Sequence, residues 1–137
     1  MLKLHTIQLT KGQGILPGIH EYMSDKDWKG ACILSGAGAI YDVTITNPMS
    51  DEPGGPLCPL EIKVPCEIMN FTGEIIRRED TPAGLERHLH DDPSDYLVHI
   101  HASVSHGEGI VNGGGFRGAT VYRGVNIYVL EYDEDEV

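Results

Sequence analysis

The chain predicts an α+β fold, a mostly antiparallel, barrel-like sheet with one main N-terminal helix, and three observations carry that prediction. Near the start, and there alone, apolar residues recur at helical spacing: Ile15, Ile19, Tyr22 and Met23. The rest is a succession of short runs rich in β-branched and apolar residues, divided by glycine, proline, aspartate and asparagine. At 137 residues, with no repeat, heptad or long linker, the sequence reads as a single domain, 1–137. A domain of that size buries roughly two-thirds of the surface its unfolded chain exposes, so it needs no metal or disulfide merely to fold.

The elements follow in order. MLKLHTIQLT is a short alternating strand carrying Lys3 and His5. Residues 14 to 26 form the helix, with Pro17 tolerable in its first turn, and SDKDWKG ends it. ACILS reads as a buried strand, SGAGA as a turn and YDVTITN as a second strand with one covered face. MSDEPGGP is a loop; LEIKV and CEIMNFTGEII are strands interrupted by Pro65. REDTPAGLERHLHDDPSDY is a long polar loop with a helical turn at AGLERHL. It is followed by the strand YLVHIHASV, the glycine-rich GEGIVNGGGFRG, and a closing pair ATVYRG and VNIYVLEY. The end, 133–137, is an acidic, solvated tail.

Charge narrows the partners. Ten basic residues against twenty-one acidic ones give a net charge of −11, and sequence-independent affinity for nucleic acid comes from Lys and Arg neutralising phosphates. The average field repels DNA; Arg77-Arg78 is the one adjacent basic pair, and neither end carries a basic arm. Cys32, Cys58 and Cys66 are odd in number and contain no C-x-x-C, which argues against a disulfide framework or a cysteine zinc ribbon and for a reduced, intracellular setting. With no signal-peptide core and no membrane-spanning run, the expected location is the cytoplasm. Serine hydrolysis is disfavoured: there is no G-x-S-x-G elbow, and sequence alone argues no orientation for Ser103 or Ser105. KGQGILPG departs in spacing from the dinucleotide and P-loop fingerprints. Trp28, Tyr122, Tyr128 and Tyr132 are read as core or interface residues rather than as platforms for bases.

Chemistry concentrates in HLHDDPSDYLVHIH, where four histidines fall as two His-x-His pairs, His88 with His90 and His99 with His101. In YLVHIHASV the alternation puts Val98, Ile100 and Ala102 on one face and both histidines on the other. Imidazoles at i and i+2 of a strand start about 7 Å apart, and side-chain tilt can bring their nitrogens to one ion. Zinc wants three or four ligands at about 2.0 to 2.1 Å, and an open position makes it a Lewis acid. Asp91, Asp92 or Glu67 could add an oxygen. Against this stands the account in which His99 and His101 decorate a solvent-facing strand and His88 and His90 are ordinary loop residues. Glu67 alone reads first as a half-exposed strand carboxylate, and the glycines at 113 to 115 as a tight turn or a close approach to a neighbour.

Four ordered segments, LSGAGAIYDVTI, EIMNFTGEI, HIHASVSHGEGIVNGGG and the closing strand pair, make the chain resemble the PPC domain family (plants and prokaryotes conserved domain). That family has a glycine-turn strand pair, an E-I-x-x-x-T-G strand, and an H-x-H strand leading to a G-G-H turn. The resemblance covers most of the chain. It implies a barrel-like α+β domain, a homotrimer, and a distant structural likeness to acetolactate decarboxylase, a metal enzyme. It also exposes a departure, because the third histidine of the family's G-G-H falls at Gly115. His99 and His101 match the motif; His88, His90 or His106 would have to replace the missing ligand, and Glu67 stands at the family's recurrent glutamate.

Three functions follow as expectations. The first is a DNA-binding or regulatory oligomeric module with a histidine metal site, zinc foremost, although the chain has no R-G-R-P hook and its charge disfavours DNA. The second is a metal-dependent enzyme acting on a small oxo-acid-type metabolite. The third is a metal-free structural trimer.

Overall fold

The computed structural model describes residues 2–85 and 94–132. Its elements are β1 (Lys3–Thr10), α1 (Ile15–Met23), β2 (Gly30–Pro48), β3 (Leu57–Ile62), β4 (Cys66–Arg77), a 3₁₀ turn (Arg78–Asp80), β5 (Tyr96–His106) and β6 (Ile110–Tyr132). The strands pair antiparallel in the order β1-β6-β5-β4-β2-β3, and a further β6–β2 pairing closes β2, β4, β5 and β6 into a ring. The mostly antiparallel sheet and the single main helix expected from the sequence are therefore present. β1 lies along the outer half of β6 and β3 along the end of β2.

Two expectations are corrected. SGAGA is not a turn between two strands, because β2 runs unbroken from Gly30 to Pro48 and takes up the glycines as register shifts against β6. Gly38 has φ of +133°, and a Cβ there would collide with the Gly124 carbonyl oxygen, so the glycine lets the strand bend around its partner instead of reversing it. Likewise GEGIVNGGGFRG, ATVYRG and VNIYVLEY are not separate pieces: from Ile110 to Tyr132 they form one 23-residue strand. Its length lets β6 pair with β5 at one end, β1 at the other and β2 along most of its course.

Inward-facing residues of the ring strands make the core. Ile33, Ile40, Val43, Ile45, Phe71, Ile75, Val104, Ile127 and Val129 are essentially inaccessible, and Phe71 meets Phe116 edge to face at 5.3 Å. Fully burying side chains of this size contributes about 1.5–3 kcal/mol each. Helix α1 adds Ile15, Ile19 and Met23 to the same core. It starts at Gly14 without a side-chain cap, and Pro17 sits in the first turn, where no intrahelical donor is lost. Gly18 lets Leu9 of β1 pack against the helix backbone. Among the described residues no helix is long and apolar enough to cross a membrane, and the three cysteines are unbridged.

The start of β5 is fastened by one buried hydroxyl. Tyr96, 4% exposed, accepts a hydrogen bond from the Trp28 backbone N–H at 2.9 Å, and its own O–H lies 3.1 Å from the carbonyl oxygens of Lys26 and Trp28. Leaving the Trp28 donor buried without a partner costs about 1–3 kcal/mol. Tyr96→Phe should therefore destabilise the protein by about that amount, read as a lower urea midpoint by Trp28 fluorescence with the slope unchanged. An unchanged midpoint would show that the hydroxyl fastens nothing.

Candidate functional site

Strand β5 presents its histidines through the simple pleat of an extended chain. Ile100, Ala102 and Val104 enter the core, with Val98 packed partly against it, while the side chains of His99 and His101 emerge on the opposite face. Their rings meet edge to face, centroids 5.1 Å apart and planes at 82°. The approach of β4 to this strand depends on Gly73, which pairs with Ile100; a Cβ at that position would collide with the His99 carbonyl oxygen.

Register supplies the neighbours. On β4, Glu74 stands opposite His99 and Thr72 opposite His101, and the Glu74 carboxylate lies 3.5 Å from His99 Nδ1, at the outer limit of a hydrogen bond. On β6, Gly115 stands opposite His101 and is paired on its other side with Thr46 of β2. Phe116 is buried, so its neighbours Gly115 and Arg117 alternate to the histidine face, where Arg117 Nε donates to Thr46 Oγ1 at 3.2 Å.

Two hollows flank the pair. One, of about 260 Å³, runs from His99 and His101 past Gly114 and Gly115 to Arg117, Thr46 and Asn47, with Pro48, Leu57 and Val98 among its apolar lining. The other, of about 640 Å³ and more open, extends past Glu74 to Cys32, Leu130 and Tyr132. Burial, with the charges of Glu74 and Cys32 beside it, pushes the Tyr132 phenol above its ordinary range and keeps it neutral. Near the start of β5, the Arg77 guanidinium holds the exposed Asp27 carboxyl below the usual carboxylate range through a 2.6 Å contact. So exposed a pair contributes little to stability.

The remaining sequence-predicted ligands are placed elsewhere. Glu67 is exposed and pairs with Ser105, four residues and about 13 Å along β5 from His101. His106 is farther still and its Nε2 meets Asn112 Oδ1 at 2.9 Å. His88, His90, Asp91 and Asp92 lie outside the described residues. Among the described residues no three His, Cys, Asp or Glu side chains gather closely enough to hold a metal ion. Conversely, Glu74, Thr46 and Arg117 join the histidines without having been singled out from sequence. Glu74 is two residues beyond Thr72 on the same strand face, a signal that becomes readable only once the β4–β5 register is known.

Among curated proteins, none matches the chain. Solved structures are similar over nearly its whole length. A plant- and prokaryote-conserved (PPC) protein from Pyrococcus horikoshii has a TM-score of 0.74 at 18% identity, covering 98% of this chain and 82% of that one. A metal-containing protein from Archaeoglobus fulgidus has a TM-score of 0.72 at 22% identity, covering 94% and 79%. A candidate DNA-binding protein from Bacteroides thetaiotaomicron has a TM-score of 0.74 at 17% identity, covering 98% and 85%. At these identities the likeness is one of fold. The sequence pattern of the Plants and Prokaryotes Conserved (PCC) domain, also abbreviated PPC, matches residues 1–133, and the chain belongs to that family.

Proposed function

We propose that this chain is a regulatory PPC module of the cytoplasm that assembles as a homotrimer and holds a divalent transition metal, zinc foremost, at His99 and His101. The single observation behind this reading is the contact of the two imidazoles on one strand face, at the mouth of a cavity. The donor set suits such an ion, since neutral imidazole ligates zinc, nickel, iron and copper alike. In this reading His99 carries its proton on Nδ1, toward Glu74 3.5 Å away, and Nε2 would be the ligand nitrogen, the carboxylate-histidine arrangement that orients metal-binding rings. A third ligand would come from His88 or His90 in the preceding connector, in place of the side chain that Gly115 lacks. When bound, the ion supplies a Lewis acid next to a space that a small molecule can enter. The description of the similar Archaeoglobus protein as metal-containing supports the same reading.

Assembly is supported by apolar side chains left in water. Leu4, Met69, Ile110 and Val111 are each more than half exposed, surface that neighbouring copies would cover. The Bacteroides and Ralstonia eutropha proteins similar in fold are described as candidate DNA-binding proteins, yet a net charge of −11 leaves little capacity to neutralise phosphates. In this reading regulation runs through ligand and partner contacts, and DNA is not gripped directly. The cavity beside the histidines favours a second reading, a metal-dependent enzyme acting on a small oxo-acid-type metabolite.

Three measurements decide among these. Elemental analysis of the purified protein should find close to one transition metal per chain, and His99→Ala combined with His101→Ala should lose both the metal and the rise in melting temperature caused by added zinc. A wild-type protein without metal, whose response to zinc the double variant keeps, would remove the ion. Gly115→His should raise zinc affinity by on the order of tenfold or more, because position 115 faces His101 and a Cβ there meets Thr46 atoms no closer than 3.4 Å. No duplex DNA should be retarded in a gel even at about 50 mM salt, where electrostatic binding is strongest.

A further inference from the structure

We propose that the larger hollow, on the Glu74 side of the histidines, is a site for a primary ammonium group carried on an apolar body, with the Glu74 carboxylate receiving the charge. Such a ligand is additional to the metal and is recognised by a different group. Register lays out the floor of the hollow. Leu130 of β6, Cys32 of β2, Glu74 of β4 and His99 of β5 are successive cross-strand partners, and partners in one row share a face at roughly 4.8 Å per strand. A carboxylate thus stands between a thiol and an imidazole, a leucine ends the row, and all four line the same space of about 640 Å³.

The carboxylate is open to a further partner. It meets His99 Nδ1 through Oε1 at 3.5 Å, and among the described residues its Oε2 has no hydrogen-bond donor. An ammonium brings three N–H donors and no acceptor, so it needs several oxygens together. Two more line the hollow: the hydroxyl of Thr72, two residues from Glu74 on the same strand face, and the phenol of Tyr132, two residues from Leu130 along β6. Burial and the Glu74 charge keep that phenol protonated, and its oxygen retains the capacity to accept. Gly30 is the cross-strand partner of Tyr132, and a Cβ there would come within 2.8 Å of the phenol oxygen, so the absent side chain lets the ring lie over β2. Leu2, half exposed, and Leu130 give the body of the ligand an apolar surface, which a bare ammonium ion would not use. At longer range a net charge of −11 draws cations toward the molecule.

Isothermal titration of the purified protein at about pH 7, where an alkylamine is protonated, tests the site with hexylamine, hexanol, hexanoate and methylamine, first after treatment with a chelator and then after saturation with zinc. Hexylamine should bind the chelator-treated protein saturably and at least tenfold more tightly than each of the others: hexanol lacks the charge, hexanoate has the opposite one, and methylamine lacks the body. Glu74→Gln should weaken hexylamine at least tenfold. Should Glu74→Gln fold poorly, Cys32→Lys keeps the carboxylate and sets an ammonium opposite it, and it too should abolish binding. Hexylamine binding that is absent, that survives either substitution, or that appears only on the zinc-loaded protein would overturn the site. Hexanol, hexanoate or methylamine binding as tightly as hexylamine would overturn the ligand class. A protein that takes up no metal at His99 and His101 but still binds hexylamine through Glu74 would remove the ion and keep this site, so the two readings fail separately.

Discussion

Closure of the ring by the β2–β6 pairing is the constraint from which the rest of the structure follows. Once β2, β4, β5 and β6 are hydrogen-bonded in a cycle, the two faces of each strand become inside and outside, and a residue's parity along the strand decides which it joins. A slip of one residue in β5 would drive His99 and His101 into a core made of Phe71, Ile75 and Ile127 and expel Ile100 and Ala102 into water. The cost of burying two imidazoles without partners, added to the apolar area lost, pins the register. Site geometry is thus a by-product of core packing, which explains how a chain only 17–22% identical to its structural neighbours keeps their fold.

The same closure shows what local sequence reasoning can reach. The extended character of most segments, a helix near residues 14 to 26, observed at Ile15–Met23, and the face carrying His99 and His101 follow from periodicity, a property of a few consecutive residues. SGAGA was misleading because glycine serves two ends: it permits a turn, and it permits a long strand to bend where another backbone comes close, as at Gly38 against Gly124. The choice between these depends on a partner nearly ninety residues away, which no window of sequence contains. Glu74 and Arg117 escaped notice for the same reason, since each reaches the histidines through cross-strand register and not through spacing along the chain. Glu67 and His106, attractive by residue type, are set apart by that register.

Gly115 illustrates how a family motif and the physics of one chain can diverge. The resemblance to the PPC family identifies the position as one that carries a histidine in relatives, and the structure shows why it matters: it faces His101 across the β5–β6 ladder. On the proposed metal reading a glycine there would mean one ligand fewer, and in the structure Gly114 and Gly115 line the cavity together with the histidines and Arg117. A different residue at this position would change the cavity wall without disturbing the core, because a Cβ at Gly115 would meet only Thr46 atoms, at 3.4 Å, on the outer face.

Net charge and local charge must therefore be weighed separately. A total of −11 speaks to long-range encounter, and at physiological ionic strength such a field fades over about 8 Å. Within a hollow the nearest groups dominate, and beside the histidines these include Arg117 and, 3.5 Å from His99 Nδ1, the Glu74 carboxylate. An extended polyanion such as duplex DNA must approach across the acidic surface and samples the whole field. A small molecule that enters a cavity samples chiefly the groups that line it. The acidic total therefore bears on a nucleic acid, which must cross the whole surface, and leaves the preference of the cavity to the groups that line it.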